Sequence, residues 1–240
     1  MGTTTPTVVL VHGAFAESSS WNGVIAELRR RDYPVIAVAN PLRGLHDDAA
    51  YLRSVLAGQP GSVVLAGHSY GGSVLSEAAD GAANVRALVY VASFQLEVGE
   101  STGELAAKYP GARLGSALAP VPYPRADGTE GSDLYLRQDL FHEIFAADVD
   151  AETAALMGAT QRPIEAQALA DTATAAAWRT IPSWSLITLQ DLAIPADSMR
   201  FMAERAGSTA VEIDASHAVT VSQPGPVAAL IHQAAAAVAE

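Results

Sequence analysis

The sequence predicts a doubly wound α/β fold, a mostly parallel sheet of about six strands, interrupted once by a helical cap insertion. Three observations carry this. Six short runs are continuously apolar rather than alternating, as strands are when helices cover both faces. Helical patterns lie between them. The alternation of strand and helix stops over 94–180 and then resumes, which points to an insertion into one domain rather than to a second domain. The chain has 240 residues, half of them apolar, enough for one large core.

The first strand is Thr7–His12. Ser20–Arg31 follows as a helix, with Trp21, Val24, Ile25 and Leu28 at helical spacing behind serine caps. Val35–Ala39 is the second strand, Leu45–Ala57 a second helix and Ser62–Gly67 a third strand; a further helix starts directly after Ser69. Ala87–Ala92, Ser185–Leu189 and Ala210–Asp214 complete the strands, joined by right-handed crossovers. The segment 94–180 shows no convincing strand. It has a turn-rich centre, Leu118–Asp133, and helical patches at Leu134–Ala147 and Ala151–Ala159. It is too long for a plain loop. The expected division is therefore a core of 1–93 and 181–240, with 94–180 folded over the C-terminal sheet edge, where open α/β sheets bind ligands.

Composition narrows the function. A formal charge of −12 argues against nucleic-acid and anionic membrane partners, both of which need basic patches. With no cysteine, thiolate catalysis, disulfides and Cys-based metal sites are excluded. The N-terminal stretch has neither a basic region nor a long apolar run, so no signal peptide is expected. No apolar run reaches the ~20 residues of a membrane span. A cytoplasmic protein is expected.

The most informative stretch is Gly67-His68-Ser69-Tyr70-Gly71. A bare G-x-S-x-G is weak, but here a strand enters it and a helix leaves it with no spare residue. So sharp a turn strains the serine and projects its hydroxyl at the sheet edge, and the glycines let neighbouring backbone approach. The helix start offers the Tyr70 N–H to a developing negative charge. A serine nucleophile needs a base. Of six histidines, His217 lies just past the last strand, at the same edge. His12 and His68 are expected to shape the site, and His46, His142 and His232 to be packing or surface residues. The acid that orients His217 is expected to be Asp191, at the end of the fifth strand, with Asp214 as its rival; Asp214 and Asp197 have simpler readings as turn and helix-cap residues.

With "LVHGAF" (Leu10–Phe15), "GHSYGG", "QDLAIP" and "DASHAV" in place, the chain resembles the α/β-hydrolase family over its whole length. More narrowly it resembles small bacterial esterases related to plant methyl-ester hydrolases and hydroxynitrile lyases. The resemblance implies a Ser69–His217–Asp191 triad and a helical cap. It also places the Ala14 N–H beside that of Tyr70 as the second oxyanion donor. It differs in the few residues before the first strand, which leave no room for the family's leading antiparallel strands. The implied reaction is acyl transfer on a small neutral carboxylic ester or lactone, with no metal and no organic cofactor. A hydroxynitrile lyase is disfavoured, because Gly13 and Ala218 stand where those enzymes resemble each other in threonine and lysine. A cofactor-free perhydrolase or haloperoxidase-type activity uses the same triad, and a silent binding protein would be expected to have lost part of it. Trp178, Tyr109, Tyr123, Tyr135 and Phe141 are available to line a pocket.

Overall fold

Strands β1 (Thr7–Val11), β2 (Val35–Val38), β3 (Val63–Ser69), β4 (Val85–Ser93), β8 (Ser183–Thr188) and β9 (Thr209–Ile213) form one sheet in the order β2-β1-β3-β4-β8-β9. Every pairing within it is parallel. The computed structural model describes residues 5–239; Met1–Thr4 and Glu240, the ends of the expected core, lie outside them. All six predicted strands are present. The central ones are buried along their length except at Arg86 in β4, as their Val- and Leu-rich runs require. The last is not: β9 is an edge strand with one neighbour and largely exposed side chains.

The chain leaves β1 for one sheet edge through helix α1 (Asn22–Arg29), and leaves β3 for the other through α3 (Tyr70–Ala78). Right-handed crossovers therefore put α1 and α3 on opposite faces. Helix α10 (Pro224–Ala237) packs beside α1, and α2 (Leu45–Ala57) beside α3. The direction of winding reverses between β1 and β3, so the loops after these two strands open a crevice at the C-terminal edge.

Between β4 and β8 the alternation is interrupted, and helices α4 (Thr102–Ala107), α5 (Gln138–Phe145), α6 (Ala151–Thr160) and α7 (Ala166–Ala170) lie in the intervening segment. The expectation that it holds no strand needs correction. Strands β5 (Leu118–Pro124), β6 (Glu130–Leu136) and β7 (Ile164–Glu165) form a small antiparallel sheet. Its hairpin was hidden by Pro120, Pro122 and Pro124, which read as turn residues. Proline at every second position removes donors from one lateral side only and leaves the other side its full set, a pattern an edge strand tolerates. The helical patch assigned to Leu134–Ala147 likewise begins as strand: Leu134–Leu136 close β6, and α5 starts at Gln138. Among the described residues, no helix is long and apolar enough to cross a membrane.

Candidate active site

Ser69 ends β3 and immediately precedes α3, with φ 54° and ψ −126°. Such a conformation costs on the order of 1–3 kcal/mol in a non-glycine residue and persists only where its surroundings enforce it. Here backbone crowding enforces it. A Cβ on Gly67 would lie 2.7 Å from the Gly71 carbonyl, and one on Gly71 would lie 2.4 Å from the Val11 carbonyl oxygen. The elbow is thus pressed against both its own helix and the end of β1. The Tyr70 hydroxyl donates to Asp48 Oδ2 at 2.8 Å, tying the start of α3 to α2. Burial pushes the Asp48 carboxyl up, and burial together with Asp48 holds the Tyr70 phenol well above its ordinary range.

Opposite the serine, β4 carries one extra residue. His68 pairs with Val91 and Ser69 with Ser93, leaving Ala92 bulged at φ 44°. The bulge turns Ser93 so that its hydroxyl donates to the Ser69 carbonyl at 2.6 Å. Nothing in the sequence singled out Ser93, since a strand-end serine has no signature of its own.

Asp191 follows β8 and is buried. Four donors converge on its carboxylate. Oδ1 accepts the N–H groups of Ala193 and Ile194, each at 2.8 Å. Oδ2 accepts the Thr188 hydroxyl at 2.8 Å and His217 Nδ1 at 2.7 Å. The proton between Asp191 and His217 sits on Nδ1, because an ionised carboxylate only accepts. That leaves the lone pair on Nε2, which is buried and has no partner. No hydrogen bond joins Nε2 to Ser69 Oγ in this structure. A catalytic hydrogen bond that is long in the unliganded state and tightens with substrate is a common arrangement.

The loop carrying His217 is held from three sides. His68 Nε2 donates to the His217 carbonyl at 2.8 Å, and the two rings lie 4.7 Å apart. The Ala218 N–H donates to the Phe145 carbonyl at 2.9 Å, and the Ser216 hydroxyl to Asp148. The Phe145 ring stands edge-on to the imidazole at 4.8 Å. The inserted segment therefore touches the histidine directly. His217 is fully buried and Ser69 is 7% exposed, so the serine edge is the open side.

The remaining candidates fall into place around this centre. Asp214 is exposed and accepts from Gln190 Nε2 at 2.6 Å. Asp197 pairs with Arg200 in the first turn of α8 (Ala196–Ala206). His46 pairs with Glu77, His142 donates to the Val149 carbonyl, and His232 meets Tyr33. The Gly13 backbone lies against the elbow: a Cβ there would lie 2.7 Å from Ser69 Cβ and 3.1 Å from Tyr70 N.

Of the aromatic residues expected to line a pocket, Phe141 stacks on Phe145 at 5.0 Å, one step from the histidine. Trp178 donates to the Leu96 carbonyl beneath Arg205, Tyr109 packs on Phe201, Tyr123 lies under Arg43, and Tyr135 pairs with Ala119 in the hairpin. A cavity of about 250 Å³ opens beside the first loop, lined by Phe15, Thr153, Met157, Thr160 and Val221. Among the described residues, no cluster of three or more His, Asp or Glu side chains is arranged to hold a metal ion.

A parallel sheet whose winding reverses at β1/β3 carries a strained serine at a tight strand–helix elbow, with a buried Asp–His pair at the same edge. A sequence model described as the alpha/beta hydrolase family matches residues 8–230, and the chain belongs to that family. It is 28% identical to an alpha/beta hydrolase of Aspergillus novofumigatus, over 96% of both chains. Among solved structures, polyneuridine aldehyde esterase superposes with a TM-score of 0.82 at 22% identity, covering 96% of this chain and 99% of that one. A pyrethroid hydrolase from Sphingobium faniae gives 0.77 at 22% identity over 98% of both chains. A methylesterase from Arabidopsis gives 0.79 at 17% identity, over 96% of this chain and 99% of that one.

Proposed function

We propose that the protein is a serine hydrolase that cleaves small neutral carboxylic esters or lactones through an acyl-enzyme. The observation that carries this reading is the Asp191–His217 pair, whose 2.7 Å bond leaves Nε2 as a buried, unpartnered base at the edge where Ser69 is held in strain. The esterase and hydrolase names of its structural neighbours agree with it. Ser69 Oγ attacks the ester carbonyl carbon while its proton passes to His217 Nε2. The N–H groups of Ala14 and Tyr70 receive the oxyanion. The bond to the alkoxy oxygen breaks, and Nε2 returns the proton to the leaving alcohol. Water then attacks the acyl carbon and gives a proton to Nε2; Ser69 leaves with that proton, and a carboxylic acid is released. Asp191 orients the imidazole and stabilises its charged form throughout.

The acidic balance of the chain, −12, together with the apolar Phe145 against the histidine and Phe15 packed on Phe145, favours neutral acyl groups over polyanionic ones. The insertion between β4 and β8 acts as the cap, since it supplies the aromatic wall against His217. The test is a p-nitrophenyl ester series with graded acyl chains, run beside stoichiometric labelling by a fluorophosphonate probe. Turnover and labelling that both vanish in Ser69→Ala support the reading. A wild-type protein that takes up no probe and cleaves no ester would sink it.

A further inference from the structure

His12 ends the first loop's approach to the site and is buried, as is Asn40 beside it. Its two ring nitrogens have unequal partners. The Asn40 backbone N–H points at Nε2 from 3.0 Å, and that group only donates, so Nε2 carries the lone pair. The proton is therefore on Nδ1, which lies 2.9 Å from the Gly13 carbonyl oxygen and donates to it. Asn40 Nδ2 also donates to the His12 carbonyl at 3.0 Å, fixing the peptide plane one residue earlier.

The Gly13 carbonyl and the Ala14 N–H belong to one peptide unit. No cis peptide occurs among the described residues, so in this planar trans unit the two bonds point in opposite directions. Whatever holds the carbonyl also aims the N–H. We infer that His12 is the positioning residue of the oxyanion hole: its Nδ1–H captures the Gly13 carbonyl and so turns the Ala14 N–H toward the space beside Ser69, with Asn40 locking the required tautomer. This rests on the acyl-transfer reading above. The geometry suits the task. The Gly13 backbone lies against Ser69 and Tyr70 N, as the 2.7 and 3.1 Å approaches of a Cβ there show. On the far side the Phe15 N–H is tied to the Arg162 carbonyl at 3.0 Å, so the peptide is fixed from both directions. Burial and the charge of Arg162 push the His12 imidazole down to about 4, outweighing the bond to Gly13, so the ring stays neutral, with one donor and one acceptor, at working pH.

Two substitutions separate positioning from packing. Asparagine at position 12 puts an amide N–H near the place of Nδ1; glutamine puts its amide near the place of Nε2 and leaves the Gly13 carbonyl unheld. His12→Asn should keep kcat within about threefold of wild type. His12→Gln should lower kcat by about ten- to a hundredfold with KM changed less than about threefold, because a misaimed oxyanion donor is felt mainly in the transition state. Equal kcat in the two variants, or a loss confined to KM, overturns the proposal. Nitrogen NMR of histidine-labelled wild type provides a readout independent of variant folding: protonated Nδ1 and bare Nε2 at His12 are expected near neutral pH, and the opposite tautomer overturns it. Undiminished turnover in Ser69→Ala would instead remove the underlying hydrolase reading, whatever the His12 variants do.

Discussion

The Ser93 hydroxyl donates a 2.6 Å hydrogen bond to the carbonyl of Ser69, and both residues sit at the point where β3 and β4 fall out of register. One strained residue is thus held by another: Ala92, at φ 44°, is bulged so that Ser93 reaches the elbow whose own serine is at φ 54°. Ser93→Ala should remove this restraint and lower kcat by about five- to tenfold, the equivalent of one hydrogen bond of about 1–1.5 kcal/mol. Circular dichroism should be unchanged. A variant with wild-type kcat would show that crowding by Gly67 and Gly71 suffices to hold the elbow.

Ser69→Ala should abolish ester turnover by at least about a thousandfold, since removal of the nucleophile leaves only the oxyanion donors and binding. Stability should change little, because the strain lies in the backbone and the hydroxyl makes no bond to His217. Retention of a tenth of the wild-type rate would remove Ser69 from the mechanism.

Asp191→Asn should approach that loss. Asparagine can leave the imidazole in the wrong tautomer, which costs about ten-thousand-fold in the serine-protease precedent. It also turns an NH2 group toward donors, because the Ala193, Ile194, Thr188 and His217 groups already occupy both oxygens. A loss of about 1–3 kcal/mol in stability should accompany it. Asp214→Asn removes an exposed charge, leaves an oxygen that can still accept from Gln190, and should change activity less than about tenfold. Chemical denaturation and kcat measured on both variants decide the ranking; the reverse order would move the acid to Asp214.

The sheet and the Asp–His pair were legible because each is a local pattern. Apolar runs announce buried strands, and a strand-end position fixes which edge a side chain reaches. The elbow was legible for the same reason, since Gly67 and Gly71 lie within its own motif. The supports were not. Ser93 and Thr188 act through single hydrogen bonds set by tertiary contact, and nothing in their neighbourhoods distinguishes them from other strand serines and threonines. Phe145 was missed because it ends an amphipathic helix that reads as ordinary packing, although its partner is His217. The proline-rich hairpin failed for a different reason: proline is informative about turns only when its missing donor is needed, and an outward-facing edge does not need it.

Acid should destabilise the protein through two buried histidines, His12 and His68. Burial lowers His12 to about 4, and burial together with the nearby His217 lowers His68 to about 3, against about 6.5 for an unfolded chain. Between these values the unfolded chain binds protons that the folded one refuses, so stability rises with pH. Full stability is present above pH ~6.5 and is lost as pH falls toward the folded values. His46 has the opposite sign. Its hydrogen bond to Glu77 raises it, so its contribution is complete below pH ~6.5 and fades above it, outside this window. Between pH 6 and 5, ahead of most carboxylate titration, two such groups give a slope of up to about 2.7 kcal/mol per pH unit, at about 1.36 for each. His68→Gln keeps an amide donor for the His217 carbonyl but cannot titrate. Urea unfolding of this variant across pH 5–6 should show roughly half the wild-type slope. An unchanged slope would mean that His68 is not held neutral in the fold.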